Sequence, residues 1–411
     1  MGSLRITNNI LVVSTDQIKS TLVKVLFEPN AKLSDSVTYD ITAWSLPYAY
    51  GLDALASQSL VSSEPYSRQK FAMQTLDKNA YAYITEWKSL KDAKFLAELL
   101  QNKIKVRHSY KPFTLDGKSY ERGSLIISKG DNKNKPDFLK TLNEISTKHA
   151  ISLNASSTGF VDSGKDFGSR YVQMIPNQKI AILSGEPTST LRFGEIWHFF
   201  EQQLNYPITV IDSDYMERVD FSKYDVLILP SGRGYKAFLD KDELIELKDW
   251  VKNGGKLIAM GGAIKGLTGE NGFKIKTKEI VKDSSKNLQV FDETKRESIK
   301  KSITGAIFKT KVDNTHPLAY GYSDTYFTLK LGSEAYEHLD SGSVVYLEGD
   351  KSTPVAGFAG SEAQKKITNT LVFGVEKHGS GQVIYMVDNP LFRGFWENGK
   401  LLFANALFMV N

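Results

Sequence analysis

Gly254-Gly255-Lys256-Leu257-Ile258-Ala259-Met260-Gly261-Gly262 decides the fold. A glycine pair stops one element, five residues with an apolar centre make a short buried strand, and a second glycine pair ends it abruptly. The stretch before it, 240–252, reads as a helix with Asp242, Glu243 and Glu246 early and Lys248 and Lys252 late, as the helix dipole favours. Before that helix, Asp225-Val226-Leu227-Ile228-Leu229-Pro230 is another buried-type strand, ending in Ser231-Gly232. Residues 179–183 form a third, ending in Ser184-Gly185; a helix over 191–204 and a strand over 207–211 follow. Strands alternating with helices of 12 to 15 residues mean a doubly wound parallel sheet. Small residues follow three of the strands, at the carboxyl ends where such sheets bind ligands.

Outward from this core the pattern changes. Residues 71–175 read as a small α/β domain, with a strand over 80–87, a helix over 89–101, a strand over 105–108, and an Asp116-Gly117 hairpin signal leading to a strand over 124–128. A helix over 136–149 and a strand over 150–154 complete it. Residues 176–411 form the second α/β domain, interrupted at about 268–350 by a β-rich insertion whose segment 274–301 is charged and reads as exposed. A hairpin joins strands over 371–376 and 382–387, and an amphipathic helix over 396–409 closes the chain. Residues 4–70 are an aromatic-rich linker, or the end of a preceding domain, with strand-like runs at 10–14 and 22–26. Trp44, Tyr48 and Tyr50 there either pack against a neighbour or offer a carbohydrate-stacking surface.

Composition narrows the function. The 411 residues suffice for two or three domains, with 41% hydrophobic and 24% charged residues, a globular balance. The formal charge of +5 is spread out, and no Lys/Arg cluster points to nucleic acid. Zero cysteines removes disulfides, thiolate metal sites and thiol nucleophiles. No apolar run is long enough for a membrane span, and no signal peptide is read at the N-terminus. The opening Met1-Gly2-Ser3 and a strand-like start lead us to expect a fragment of a larger protein.

Candidate ligand-binding residues gather at the strand ends. The backbone N–H groups of Gly185, Gly232 and Gly261 suit a small anion, sugar or peptide terminus. Arg192 and Glu195 early in the following helix, and Arg233 after Ser231-Gly232, face the same crevice; the alternative is a solvated first turn. Asp388, Asn389 and Arg393 follow the last core strand, where the alternative is a cap of the strand-to-helix turn. His198-Phe199-Phe200-Glu201 has the i, i+3 spacing of two zinc ligands, with His316, His338 or His378 as a third, but the spacing alone is weak. A rewired hydrolase would use Ser231 or Ser184 with Asp388. The run 160–169, rich in Gly, Ser and Asp, is an anion cradle or an ordinary interdomain loop; it lacks phosphate-loop spacing.

The strand 226–229 with Ser231-Gly232, the helix 240–252 and Gly254-Gly-Lys-Leu-Ile-Ala-Met-Gly-Gly262 resemble the class I glutamine amidotransferase-like superfamily. That resemblance implies a flavodoxin-like sheet with a nucleophilic Cys on a strand–turn–helix elbow and a His–Glu pair after the last core strand. Gly261 takes the Cys position, and Asp388-Asn389-Pro390 stands where the His belongs, so glutamine hydrolysis is not expected. Three further stretches, 35–54 (DSVTYDITAWSLPYAYGLDA), 193–200 (FGEIWHFF) and 388–396 (DNPLFRGFW), resemble the C-terminal region of large secreted bacterial zinc carboxypeptidases of the carboxypeptidase A type. This second resemblance covers residues 9 to 411. It implies a non-catalytic accessory region without a cofactor of its own, zinc residing in a separate peptidase domain. It further implies that domain as partner, room for a small-molecule or peptide ligand, and a secreted, periplasmic or cell-surface location. The alternatives are a free-standing binding module and a metallocarboxypeptidase or hydrolase with rewired residues.

Overall fold

The computed structural model describes residues 10–29, 45–67, 71, 74–269, 272–278, 291, 294–349 and 352–411. Two large sheets organise them. Before the first lie two helices, α1 (Ser20–Phe27) and α2 (Leu46–Tyr50). The strands expected at 10–14 and 22–26 are not formed: the first run has no regular structure and the second lies inside α1. Leu22-Val23-Lys24-Val25-Leu26 fits both the strand and the helix period, and so short a window cannot separate them. Trp44 lies outside the described residues, as does the first half of the 35–54 stretch.

The first sheet is built from β1 (Ala82–Thr85), α3 (Leu90–Gln101), β2 (Arg107–Ser109), the hairpin β3 (Phe113–Leu115) and β4 (Lys118–Tyr120), β5 (Leu125–Ser128), α4 (Phe138–Lys148), β6 (Asn154–Ser156) and β7 (Val172–Met174). Its order is β6-β1-β5-β2-β7, with every pair antiparallel. Asp116 and Gly117 take φ +52° and +73°, the left-handed pair a two-residue hairpin turn demands. One face of this sheet, through Tyr83, Leu125 and Ile127, joins the main core; the other, through Ala82, Ile84 and Ile126, is covered by the β3–β4 hairpin and Phe167.

The second sheet holds β8 (Ile180–Ser184), α5 (Thr190–His198), β9 (Thr209–Asp212), β10 (Val226–Leu229), α6 (Tyr235–Phe238), α7 (Lys241–Lys252), β11 (Lys256–Met260), α8 (Thr294–Lys300), β12 (Ile303–Val312), β13 (Thr325–Lys330), β14 (Ser343–Leu347), β15 (Ala356–Ala359), α9 (Ser361–Lys366), β16 (Thr370–His378), β17 (Gly381–Met386) and α10 (Glu397–Phe408). Its parallel core runs β9-β8-β10-β11-β17. In core-strand sequence order this is 2-1-3-4-5, with the reversal between β8 and β10. The segment expected as a β-rich insertion falls in the chain between the parallel strands β11 and β17, and it stays within this sheet. It extends it, because β16, β14, β12 and β13 add on antiparallel beyond β17, and β15 pairs with β12. Each new strand satisfies the open edge left by its neighbour.

The chain is α/β, with mixed parallel and antiparallel pairing. The closing helix departs from the amphipathic expectation: every residue of α10 from Gly399 to Phe408 is buried. Leu402, Phe403 and Leu407 share one apolar cluster with Phe95 and Leu99 of α3 and with Ile182 and Ile258 of the parallel sheet. A helix clamped between two sheets has no solvent face to keep polar.

Candidate functional site

The crevice at the reversal lies between the loops after β8 and β10, and backbone contacts close it. The Ser189 amide donates to the Ser231 carbonyl at 3.1 Å and the Arg233 amide to the Pro187 carbonyl at 3.0 Å. Thr188 and Gly232 form a β-bridge, and the Tyr235 hydroxyl beneath it contacts Thr188 Oγ1 at 2.9 Å and donates to the Pro230 carbonyl at 2.8 Å. A Cβ on Gly232 would lie 1.9 Å from the Pro187 oxygen, and one on Gly262 would lie 2.0 Å from the Gly232 oxygen. These glycines allow two loops to touch main chain to main chain.

Gly261 heads the turn after β11 with φ +48°, and a short 3₁₀ helix, Gly261–Leu267, follows. Ser231 Oγ stands where a Gly261 side chain would project, 2.5 Å from an added Cβ, and accepts the Gly262 amide at 3.0 Å. At Gly185 an added Cβ would meet Ser213 Oγ at 2.4 Å. The Ser184 hydroxyl donates to the Ile211 carbonyl. Neither Ser184 nor Ser231 is hydrogen-bonded to Asp388 or to a histidine among the described residues.

Asp388 is buried. Its carboxylate accepts Lys330 Nζ at 2.9 and 3.1 Å and Thr328 Oγ1 at 2.8 Å. With Lys330 only 1% exposed, this is a closed ion pair with both oxygens used. Sequence reasoning missed Lys330; the one signal for it was a lysine at the end of an apolar strand, Thr325-Tyr-Phe-Thr-Leu-Lys330.

Glu195 is not in a solvated turn. It accepts Arg192 Nη1 at 3.0 and 3.2 Å, the Arg393 amide at 2.9 Å, and the Asn389 side-chain amide. Asn389 Oδ1 accepts the Leu391 amide, the turn cap weighed as the alternative. The guanidinium groups of Arg192 and Arg393 lie 5.5 and 5.1 Å from the Phe392 ring centroid. Arg192, Glu195, Asn389 and Arg393 therefore meet, and they tie the loop after β17 to α5. The Arg233 side chain is exposed.

His198 and Glu201 are both exposed, at the point where α5 passes into the π-helical turn Phe199–Leu204. The possible third ligands lie apart from them: His316 Nδ1 accepts the Leu318 amide, His338 packs on Tyr346 and His378 on Phe273. Among the described residues no three His, Asp or Glu side chains gather as a metal site. Tyr48 packs on Phe327 at 4.7 Å between ring centroids, whereas Tyr50 is 52% exposed. Two concavities of about 400 and 390 Å³ open at the opposite end of the sheet, around the β16–β17 hairpin; Lys252 and His378 line the first, His316 and Lys377 the second.

No family model matches the chain, and no curated protein does. Solved structures with some likeness include a β-galactosidase from Bacillus circulans sp. alkalophilus, at 14% identity over 56% of this chain and 30% of that one, TM-score 0.32. A putative GMP synthase subunit from Thermoplasma acidophilum has 10% identity over 56% of this chain and 92% of that one, TM-score 0.35. An exo-β-1,4-mannosidase from Opitutaceae bacterium strain TAV5 has 11% identity over 69% of this chain and 40% of that one, TM-score 0.31. The chain thus spans about 30% of the β-galactosidase. Likenesses this low carry no argument about activity.

Proposed function

We propose that this chain is a non-catalytic accessory region of a secreted zinc carboxypeptidase-like protein. Its second half is a degenerate class I glutamine amidotransferase-like unit, and its task is to support the peptidase domain, which carries the zinc. The carrying observation is the elbow. A turn that would present a nucleophile holds Gly261, and Ser231 Oγ occupies the space above it. The position expected to supply a base holds Asp388, which is neutralised by buried Lys330. The 2-1-3-4-5 strand order supports the flavodoxin-like part of this reading. The stitched loops between β8 and β10 favour a supporting role over ligand capture at that crevice, since binding there would first have to break main-chain hydrogen bonds.

The test is turnover by the isolated chain. We expect no release of ammonia from glutamine and no trimming of peptides with a free C-terminal residue. Zinc-dependent trimming that disappears in His198→Ala would overturn the reading. A second test lies in the source genome: an in-frame upstream region encoding a His-x-x-Glu zinc domain is expected, and a stop codon directly upstream would sink the partner assignment.

A further inference from the structure

The run 160–169 finds its place on the outer face of the first sheet. Phe167 is buried there against Phe113, with ring centroids 5.6 Å apart. Main-chain bonds fix the loop to the β3–β4 hairpin: the Thr114 amide donates to the Ser163 carbonyl at 2.9 Å, and the Asp162 amide to the Thr114 carbonyl at 2.8 Å. Gly164, at φ +107°, lets the loop pass so close that an added Cβ would lie 2.8 Å from the Pro112 oxygen. The Tyr110 amide donates to the Tyr171 carbonyl at 2.8 Å. Two separate segments, 110–114 and 162–171, are thereby held side by side.

Their side chains converge on one ring. Lys111 Nζ lies 5.9 Å from the Tyr171 ring centroid, Lys165 Nζ 5.8 Å, and the Arg170 guanidinium carbon 5.2 Å. Arg170 Nη2 donates to the Tyr171 hydroxyl at 3.3 Å. Among the described residues none of the three cations is within 4.0 Å of a carboxylate. The acids of the same loop are turned elsewhere: Asp162 accepts the Gly117 amide and Asp166 the Val161 amide. One ring face is a weak partner for a cation, and three like charges around it repel one another. The phenol feels the excess: its hydrogen bond from Arg170, then the charges of Arg170, Lys111 and Lys165, hold it below the usual tyrosine range.

We infer that Lys111, Lys165, Arg170 and Tyr171 form a binding site for a tetrahedral oxyanion, a phosphate or sulfate group, either free or at the end of an esterified ligand. Arg170 supplies a planar pair of donors, the two lysines supply point charges, and a dianion among them relieves their repulsion. The site is separate from the crevice and owes nothing to it.

The test uses the full chain at low ionic strength, titrated with inorganic phosphate, sodium sulfate and glucose 6-phosphate, and followed by backbone amide shifts. Saturable shifts at residues 110–112 and 163–172 are expected. The triple variant Lys111→Gln/Lys165→Gln/Arg170→Gln should weaken binding about tenfold or more, and each single variant by a few-fold, with the far-ultraviolet spectrum unchanged. Tighter binding of glucose 6-phosphate than of inorganic phosphate would identify an ester ligand, and equal binding a free ion. An unchanged affinity in the triple variant overturns the inference. So does an equal loss in a control with Lys179, Lys309 and Lys311 changed to Gln, which would mean that only the overall charge matters. If the triple variant does not fold, Lys165→Gln alone decides, since Lys165 is exposed on the loop.

Discussion

Gly232 and Gly261 show at the scale of one residue how a ligand-like pattern becomes a packing device. Gly232→Ala drives a methyl into the Pro187 carbonyl, a backbone atom that cannot rotate away. We expect a loss of about 3 kcal/mol in urea unfolding, near the upper end for overpacking. Gly261→Ala meets a side-chain oxygen instead and adds the cost of φ +48°, so a loss of about 1–2 kcal/mol is expected. Ser231→Gly in the same chain should recover part of it; no recovery would mean that Ser231 is not the obstacle. Lys330→Met leaves Asp388 buried without its cation and should cost about 3–5 kcal/mol, while Lys330→Met/Asp388→Leu should recover most of that. If the double variant is as unstable as the single, the pair is not what Lys330 supports. Two histidines set a pH dependence. Burial pushes His108 and His316 down to about 4, against 6.5 unfolded. The unfolded chain takes up these protons first as pH falls, so their contribution is intact above 6.5 and is lost between 6.5 and 4, amounting to roughly 3 kcal/mol each at pH 4. His108→Phe should flatten that slope in denaturation followed from pH 7 to 4; an unchanged slope would remove His108 from the account.

At the scale of elements, α10 joins the two sheets. Asn405, fully buried, accepts Trp87 Nε1 at 2.7 Å and donates to the carbonyls of Leu318 and Tyr320. One side chain thus satisfies three buried groups from two distant parts of the chain. Asn405→Ala strands all three and should cost about 3 kcal/mol in urea unfolding, more than an exposed Asn. The helices and core strands were legible because their periods and stops are local: 240–252, 256–260 and the 377–381 hairpin all appear in the structure within a residue or two. The nature of α10 was not legible. Lys400 and Asn405 imitate a polar stripe, and only their partners, Glu397 for the first and Trp87 for the second, reveal a helix without a wet face.

For the whole molecule, one apolar cluster contains Tyr83, Phe95 and Leu125 from the first sheet with Ile182, Ile258 and Phe403 from the second half. A shared core predicts unfolding in one step, with tryptophan fluorescence and far-ultraviolet circular dichroism tracing the same urea curve. Two separated transitions would show that the sheets are held independently. The sequence by itself determined the α/β class, the parallel strands of the second half, the hairpins and the absence of a cysteine nucleophile, because each depends on residues within a few positions of one another. It also placed Gly185, Gly232, Gly261 and Asp388 just after the carboxyl ends of parallel strands. Only the tertiary structure decided what those residues touch. The closing of the crevice by Pro187, the pairing of Asp388 with a lysine 58 positions away, the locking of Glu195 by the loop after β17, and the placing of Lys111 beside Tyr171 all join distant segments. Such contacts are set by how the packed elements approach one another, and local pattern carries no record of that.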